Sequence, residues 1–169
     1  MLHTDIERLV PEMQPLVRQT LAEMNADERL TNLGATSVVI SETLRELSVQ
    51  MAYYSRGMYA ALTRDHPEME TAWVKLVLAE QAKAMYKAAG LYTISSVEAL
   101  QPITWTLASN HFSGKAVDLV PTIKGTPWWR APKEAWDIIG EIGEKHGLKW
   151  GGRWPGRQKD SPHFEWKGD

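Results

Sequence analysis

Two short segments in the C-terminal part of the chain carry residue types that can do chemistry together. In Ser109-Asn110-His111-Phe112-Ser113-Gly114-Lys115-Ala116-Val117-Asp118, a histidine precedes an aspartate by seven positions. Ala116 to Val120 predicts a strand, with Ala116, Asp118 and Val120 on one face. A carboxylate between apolar neighbours is costly unless it is paired or ligates a metal. Gly114 lets the chain turn tightly, so that His111 and Asp118 can converge. In Asp160-Ser161-Pro162-His163-Phe164-Glu165, Pro162 keeps the preceding residue extended, and His163 and Glu165 fall on one strand face. Two neutral imidazoles and a carboxylate form an open zinc site, here His111, Asp118 and His163, with water as a fourth ligand. Zinc lowers the pKa of such a water from about 15.7 towards 7. Asp160, three residues before His163, is placed to take its proton. Cobalt or manganese would also suit this ligand set.

Composition removes the competing chemistries. The 169 residues include no cysteine, which excludes disulfides, thiolate nucleophiles and cysteine-ligated zinc modules. Nineteen Lys and Arg against twenty-one Asp and Glu give a net charge of −2. No nucleic-acid partner is expected from that balance. No apolar run approaches the length of a bilayer span, so membrane insertion is not expected. Pro67 displaces the Glu of an H-E-x-x-H reading at His66, and no G-x-S-x-G elbow or P-loop is present. His3, His66 and His146 read as ordinary surface or helix-end residues.

The segment from Ser109 to Asp118 resembles the S-x-H-x-x-G-x-A-x-D signature of zinc peptidases that cut bacterial cell-wall peptides. That superfamily joins D-alanyl-D-alanine carboxypeptidases and dipeptidases with L-alanyl-D-glutamate endopeptidases. Its second signature, an acid three positions before the last zinc-binding histidine, is matched by Asp160 and His163. The stretch from Trp150 to Glu165 is similar to the L-alanyl-D-glutamate branch, which includes many phage endolysins and typically has Asp where the D-alanyl-D-alanine enzymes have Glu. Upstream, the stretch from Ser41 to Gln50 resembles the family's R-x4-Q segment, with Arg45 and Gln50 in the matching places. Tyr53-Tyr54-Ser55-Arg56-Gly57 is similar to the adjoining part of the family pattern.

The resemblance covers about residues 35–58 and 100–166. It implies a zinc-dependent hydrolase acting between L-Ala and D-Glu of peptidoglycan stem peptides. Asp160 would serve as the base, and Arg45 would bind a substrate carboxylate or the polarised carbonyl. Glu165 and Ser109 would orient a liganding imidazole. Trp154, with Arg153, Arg157 and Lys159, would line the cleft rim and attract stem-peptide carboxylates, or else anchor a solvated loop. The alternatives are a D-alanyl-D-alanine carboxypeptidase or dipeptidase, and a non-hydrolytic zinc-containing cell-wall binding module. The acidic, Pro-broken start of the chain lacks a secretory pattern. The expectation is therefore a monomeric endolysin, cytoplasmic at synthesis, that reaches the wall after holin-type release.

The elements that must position these residues read as α+β: a small antiparallel sheet carrying the His-Asp-His site, packed with N-terminal and inserted helices in a single domain spanning 1–169. Thr4-x-x-Glu7 and Thr43-x-x-Glu46 read as capping boxes, the second opening a helix to about Leu62 with Arg45 in its first turn. Pro15 opens a helix carrying Leu16, Val17, Leu21 and Met24. Ser37 to Ile40 is a short strand. Between Gly57 and Ser109, where the family has a shorter connection, this chain inserts helix over about 60–92, with Trp73, Leu76, Leu78 and Met85 at its apolar positions and Gly90 as its stop. The strand at Ala116 closes at Pro121, Pro132 opens a helix that ends at Gly147, and His163 to Trp166 is the last strand. Five tyrosines lie between Tyr53 and Tyr92, and seven of eight tryptophans between Trp105 and Trp166, so the two parts differ in texture.

Overall fold

A computed structural model describes residues 2–168. Its contacts divide the chain into two compact units, one of His3–Leu44 with Asn110–Asp169, the other built around Arg45–Ser109.

The first unit holds the sheet. Strands β1 (Ser37–Glu42), β2 (Ala116–Ile123), β4 (Leu148–Trp150) and β5 (His163–Trp166) lie in the order β1-β2-β5-β4, every pair antiparallel, with the two-residue β3 (Thr126–Pro127) beside the end of β2. Helices α1 (Met13–Ala26), the short α2 (Glu28–Asn32) and α6 (Lys133–Lys145) complete it. The α+β class with a small antiparallel sheet is thus as expected. β2 continues through Pro121 instead of closing there. The Pro121 carbonyl accepts from Trp128 at 2.7 Å, so its missing N–H faces the edge where β5 has already ended at Asp118, and no ladder bond is lost.

Register sorts the sheet into two faces. Val117 pairs with Phe164, which pairs with Trp150, and these share a core with Met13, Val17, Leu119 and Ile139. Helix α6 lies hard against that face because Gly140 and Gly143 have no side chains there. A Cβ on Gly140 would sit 2.3 Å from the Trp150 ring, and one on Gly143 2.2 Å from Phe164. At the exposed edge, Asn25 of α1 bonds both the N–H (2.9 Å) and the carbonyl (3.0 Å) of Val38, satisfying β1 groups that would otherwise invite another strand. On the opposite face, Glu42, Asp118 and His163 form one row across β1, β2 and β5.

The second unit is helical. The expected single helix to Leu62 is two, α3 (Leu47–Ser55) and α4 (Met58–Asp65), interrupted at Arg56-Gly57. Arg56 is buried there, its Nε donating to the Gln101 carbonyl (2.9 Å) and Nη1 to the Tyr86 hydroxyl (3.1 Å). Helix α5 (Ala72–Ala88) is capped by the Thr71 hydroxyl and followed by Gly90 at φ +67°. It packs on α3 through small residues, Ala52, Ala79 and Ala82, around a buried Tyr86 that also meets Tyr53 and Tyr92. Trp73 and Leu76, expected inside, are 71% and 59% exposed. Their positions on α5 lie opposite Val74, Ala79, Ala82 and Tyr86, which form its buried face.

Candidate metal centre

Three ligand atoms converge in the sheet unit. His111 Nε2 lies 3.3 Å from Asp118 Oδ1, His163 Nδ1 lies 3.0 Å from the same oxygen, and the two nitrogens are 3.2 Å apart. Tetrahedral zinc with bonds of about 2.0–2.1 Å to N and O requires ligand edges of roughly 3.3 Å. The triangle fits that ion, and all three groups are largely shielded from water, their side chains 1%, 16% and 9% exposed.

Each ligand has a distinct support. His111 sits in a 3-10 turn (Asn110–Ser113) just before Gly114, whose φ is +66° and whose missing side chain leaves room for the Arg8 carbonyl, 2.5 Å from where a Cβ would be. Its Nδ1 is 2.6 Å from the Thr43 carbonyl, so Nδ1–H donates and the Nε2 lone pair faces the other two ligands. Thr43 is therefore not the predicted helix cap. It is fully buried at the end of β1, its N–H and hydroxyl both donating to the His3 carbonyl. Nothing in its sequence context signals this role, which is a backbone contact. The other expected capping box, at Thr4, is also not made. Asp5 flanks a 3-10 turn without a side-chain cap.

His163 is reversed relative to His111. Its Nε2 lies 3.3 Å from Glu165 Oε1, leaving Nδ1 to face Asp118. The electrostatics favour a cation at this point. Burial works against a charged Asp118, yet the two imidazoles beside it, His111 and His163, hold it well below the usual carboxylate range. Burial likewise opposes a charged His163, but Asp118, Glu165 and the charge of Asp160 push it up to about 9. Glu165 is lowered to about 2, chiefly by His163, with Asn110 and Lys149 contributing against partial burial.

Asp160 is solvent-exposed. The turn that carries it is fixed by backbone: Asp160 N–H donates to the Gly151 carbonyl (3.1 Å), the Asp160 carbonyl accepts from His163 (3.4 Å), and the next two carbonyls accept from Trp150 Nε1 (2.8 Å) and Leu119 N–H (2.9 Å). A side chain on Gly151 would meet the Asp160 carbonyl at 2.7 Å. Trp154 tilts against His163, ring centres 5.1 Å apart, and so forms a wall of the site. Arg153 turns away from the site to Glu144 on α6 (2.9 Å) and is a loop anchor. Lys159 is exposed, and the Arg157 side chain lies outside the described residues.

Arg45, Gln50 and Ser109 belong to the helical unit. Arg45 precedes α3, whose flanking residue is Glu46, so it does not occupy a first helical turn. Its guanidinium donates to Gln50 Oε1 at 2.8 Å and lies 5.1 Å above the Tyr53 ring. Gln50, fully buried, donates in turn to the Thr106 carbonyl at 2.6 Å. The R-x4-Q spacing is thus a physical pair.

Comparison with known proteins gives one family model and several solved structures. Residues 103–166 match the family model of D-alanyl-D-alanine carboxypeptidases. Among solved structures, the Serratia marcescens L-Ala D-Glu endopeptidase ChiX is similar in fold, with a TM-score of 0.52 at 19% identity over 96% of this chain and 83% of that one. The vancomycin-resistance D,D-pentapeptidase VanY, as a variant in complex with Zn(II), aligns at a TM-score of 0.47 and 16% identity over 95% and 73%. VanYB in complex with D-alanine-D-alanine aligns at 0.47 and 17% over 95% and 72%. A search of curated proteins gives no match.

Proposed function

From the match of residues 103–166 to the family model of D-alanyl-D-alanine carboxypeptidases, we propose that this chain belongs to the superfamily of zinc D-alanyl-D-alanine carboxypeptidases and L-alanyl-D-glutamate endopeptidases, and that it hydrolyses the L-Ala–D-Glu bond of peptidoglycan stem peptides. The observation that carries this reading is the His111–Asp118–His163 triangle with Asp160 on a braced turn three residues before its last corner. Zinc, if held by those three residues, would supply Lewis-acid chemistry and lower the pKa of water there.

The chain's own residues supply the rest. Thr43 and Glu165 fix the two imidazole orientations, so the lone pairs converge without rearrangement. Asp160 takes the proton of the attacking water and delivers it to the leaving amine. Trp154 covers one side of His163 and excludes water from it. Arg45, held by Gln50 and Tyr53, would bind a carboxylate of the substrate.

An aspartate rather than a glutamate at position 160 supports the L-alanyl-D-glutamate specificity. The description of the matching family model favours D-alanyl-D-alanine cleavage as the second reading. An endolysin role, with release to the wall through a holin, extends the first reading. End-group analysis of digested sacculi separates the two. New N-terminal D-Glu is the expected product, free D-Ala supports the second reading, and neither product would overturn both.

A further inference from the structure

Glu165 does more than touch His163; it is the centre of a four-residue cluster. Asn110 Nδ2 donates to its Oε1 at 2.7 Å, the oxygen that faces His163 Nε2, and Lys149 Nζ lies 3.3 Å from Oε2. Strand register explains the arrangement. Lys149 on β4 and Ala116 on β2 flank Glu165 on β5, and the small Ala116 side chain leaves the carboxylate to its polar neighbours. Asn110 immediately precedes the ligand His111, so one turn carries a ligand and the residue bonded to the carboxylate that faces the other imidazole. Lys149 also reaches a second group that touches His163, its ammonium lying 5.8 Å from the centre of the Trp154 ring.

We infer that Asn110 and Lys149 are positioning residues for the metal centre, acting through Glu165 to present His163 by Nδ1. The inference rests on the metal-binding reading above. Without the clamp, the Glu165 carboxylate can rotate away from Nε2, and the ring loses the contact that selects its orientation. An ordinary cross-strand ion pair at a half-exposed position contributes little and acts on stability alone. A clamp instead acts on metal affinity.

The test measures zinc affinity of the purified full chain by competition with a chromogenic chelator, together with the melting temperature of the metal-free protein. Glu165→Ala is expected to weaken zinc binding about 10–100-fold, the range for outer partners of a liganding histidine. Glu165→Gln, which keeps an acceptor for Nε2–H, should recover most of that loss. Asn110→Ala combined with Lys149→Met should approach the Glu165→Ala value, with the metal-free melting temperature nearly unchanged. Zinc affinities of the double variant within twofold of the parent would overturn the clamp. A parent chain that binds no stoichiometric zinc would instead overturn the metal reading beneath it.

Discussion

Replacing Gly143 with alanine tests how the far side of the sheet holds the metal site. Gly143 is on α6, and an added methyl would lie 2.2 Å from Cε1 and 2.7 Å from Cδ1 of Phe164, a ring with no exposed surface. Ordinary carbon contacts are about 3.5–4.0 Å, so helix or ring must move by more than 1 Å. Helix propensity alone predicts a gain of about 1 kcal/mol from Gly to Ala. Overpacking a filled core costs roughly 1–3 kcal/mol or more, and a clash this deep belongs at the upper end. The net expectation is a loss of about 2 kcal/mol, which for a chain of this size lowers the melting temperature by roughly 4–8 °C. Because Phe164 sits between His163 and Glu165 on β5, zinc affinity should fall as well. Calorimetry and a zinc competition titration measure the two effects, with Glu141→Ala on the exposed face of α6 as a control expected to stay within about 0.5 kcal/mol. A Gly143→Ala protein as stable as the parent would refute the close packing of α6 on the site-bearing sheet.

The same geometry sets three other expectations. His111→Ala should abolish stoichiometric zinc binding, and with it the zinc-dependent stabilisation, which at a free concentration 100 times Kd is about 2.7 kcal/mol for the parent. Asp160→Ala should retain zinc while turnover falls by about 10²–10⁴-fold, the usual contribution of a proton-transfer group; loss of zinc would make Asp160 a ligand. Glu23 is paired with Lys145 (2.7 Å) and His146 (2.8 Å), and Lys145 first, then His146, hold its pKa below the ordinary 4.5. A depressed carboxylate stabilises above its ordinary value and loses that contribution as the pH falls through the lowered one. The melting-temperature gap between parent and Glu23→Gln should therefore narrow as the pH falls below 4.5.

The metal ligands were legible because their chemistry is local to short segments. A carboxylate in an apolar strand and a histidine after Asp-x-Pro announce themselves, and the Ser109–Asp118 signature adds order. Glu165, two residues from His163 on one strand face, was legible as its neighbour; the other supports were not, because they depend on pairings distant in sequence. Thr43 serves through its carbonyl, which every residue has, so its side chain suggested a cap instead. Lys149 lies on a three-residue strand too short to show alternation, and only register places it beside Glu165. The break between α3 and α4 comes from burying Arg56 against Tyr86 and Gln101, partners 30 and 45 residues away. Trp73 and Leu76 misled for the opposite reason. Apolar residues at helical spacing suggest a buried face, and here the buried face of α5 is made of alanines and Tyr86.

A metal-dependent hydrolase of wall peptides, as proposed for the His111–Asp118–His163 site, releases products only with its metal bound and Asp160 present. Mass spectrometry of soluble products from purified sacculi tests it most directly, comparing the protein as isolated, after chelation, after zinc is restored, and as Asp160→Ala. The expected result is release of peptides cut at the L-Ala–D-Glu bond, lost on chelation, recovered with zinc and absent in the variant. Peptide release that persists unchanged through chelation and in Asp160→Ala would contradict the site assigned to it.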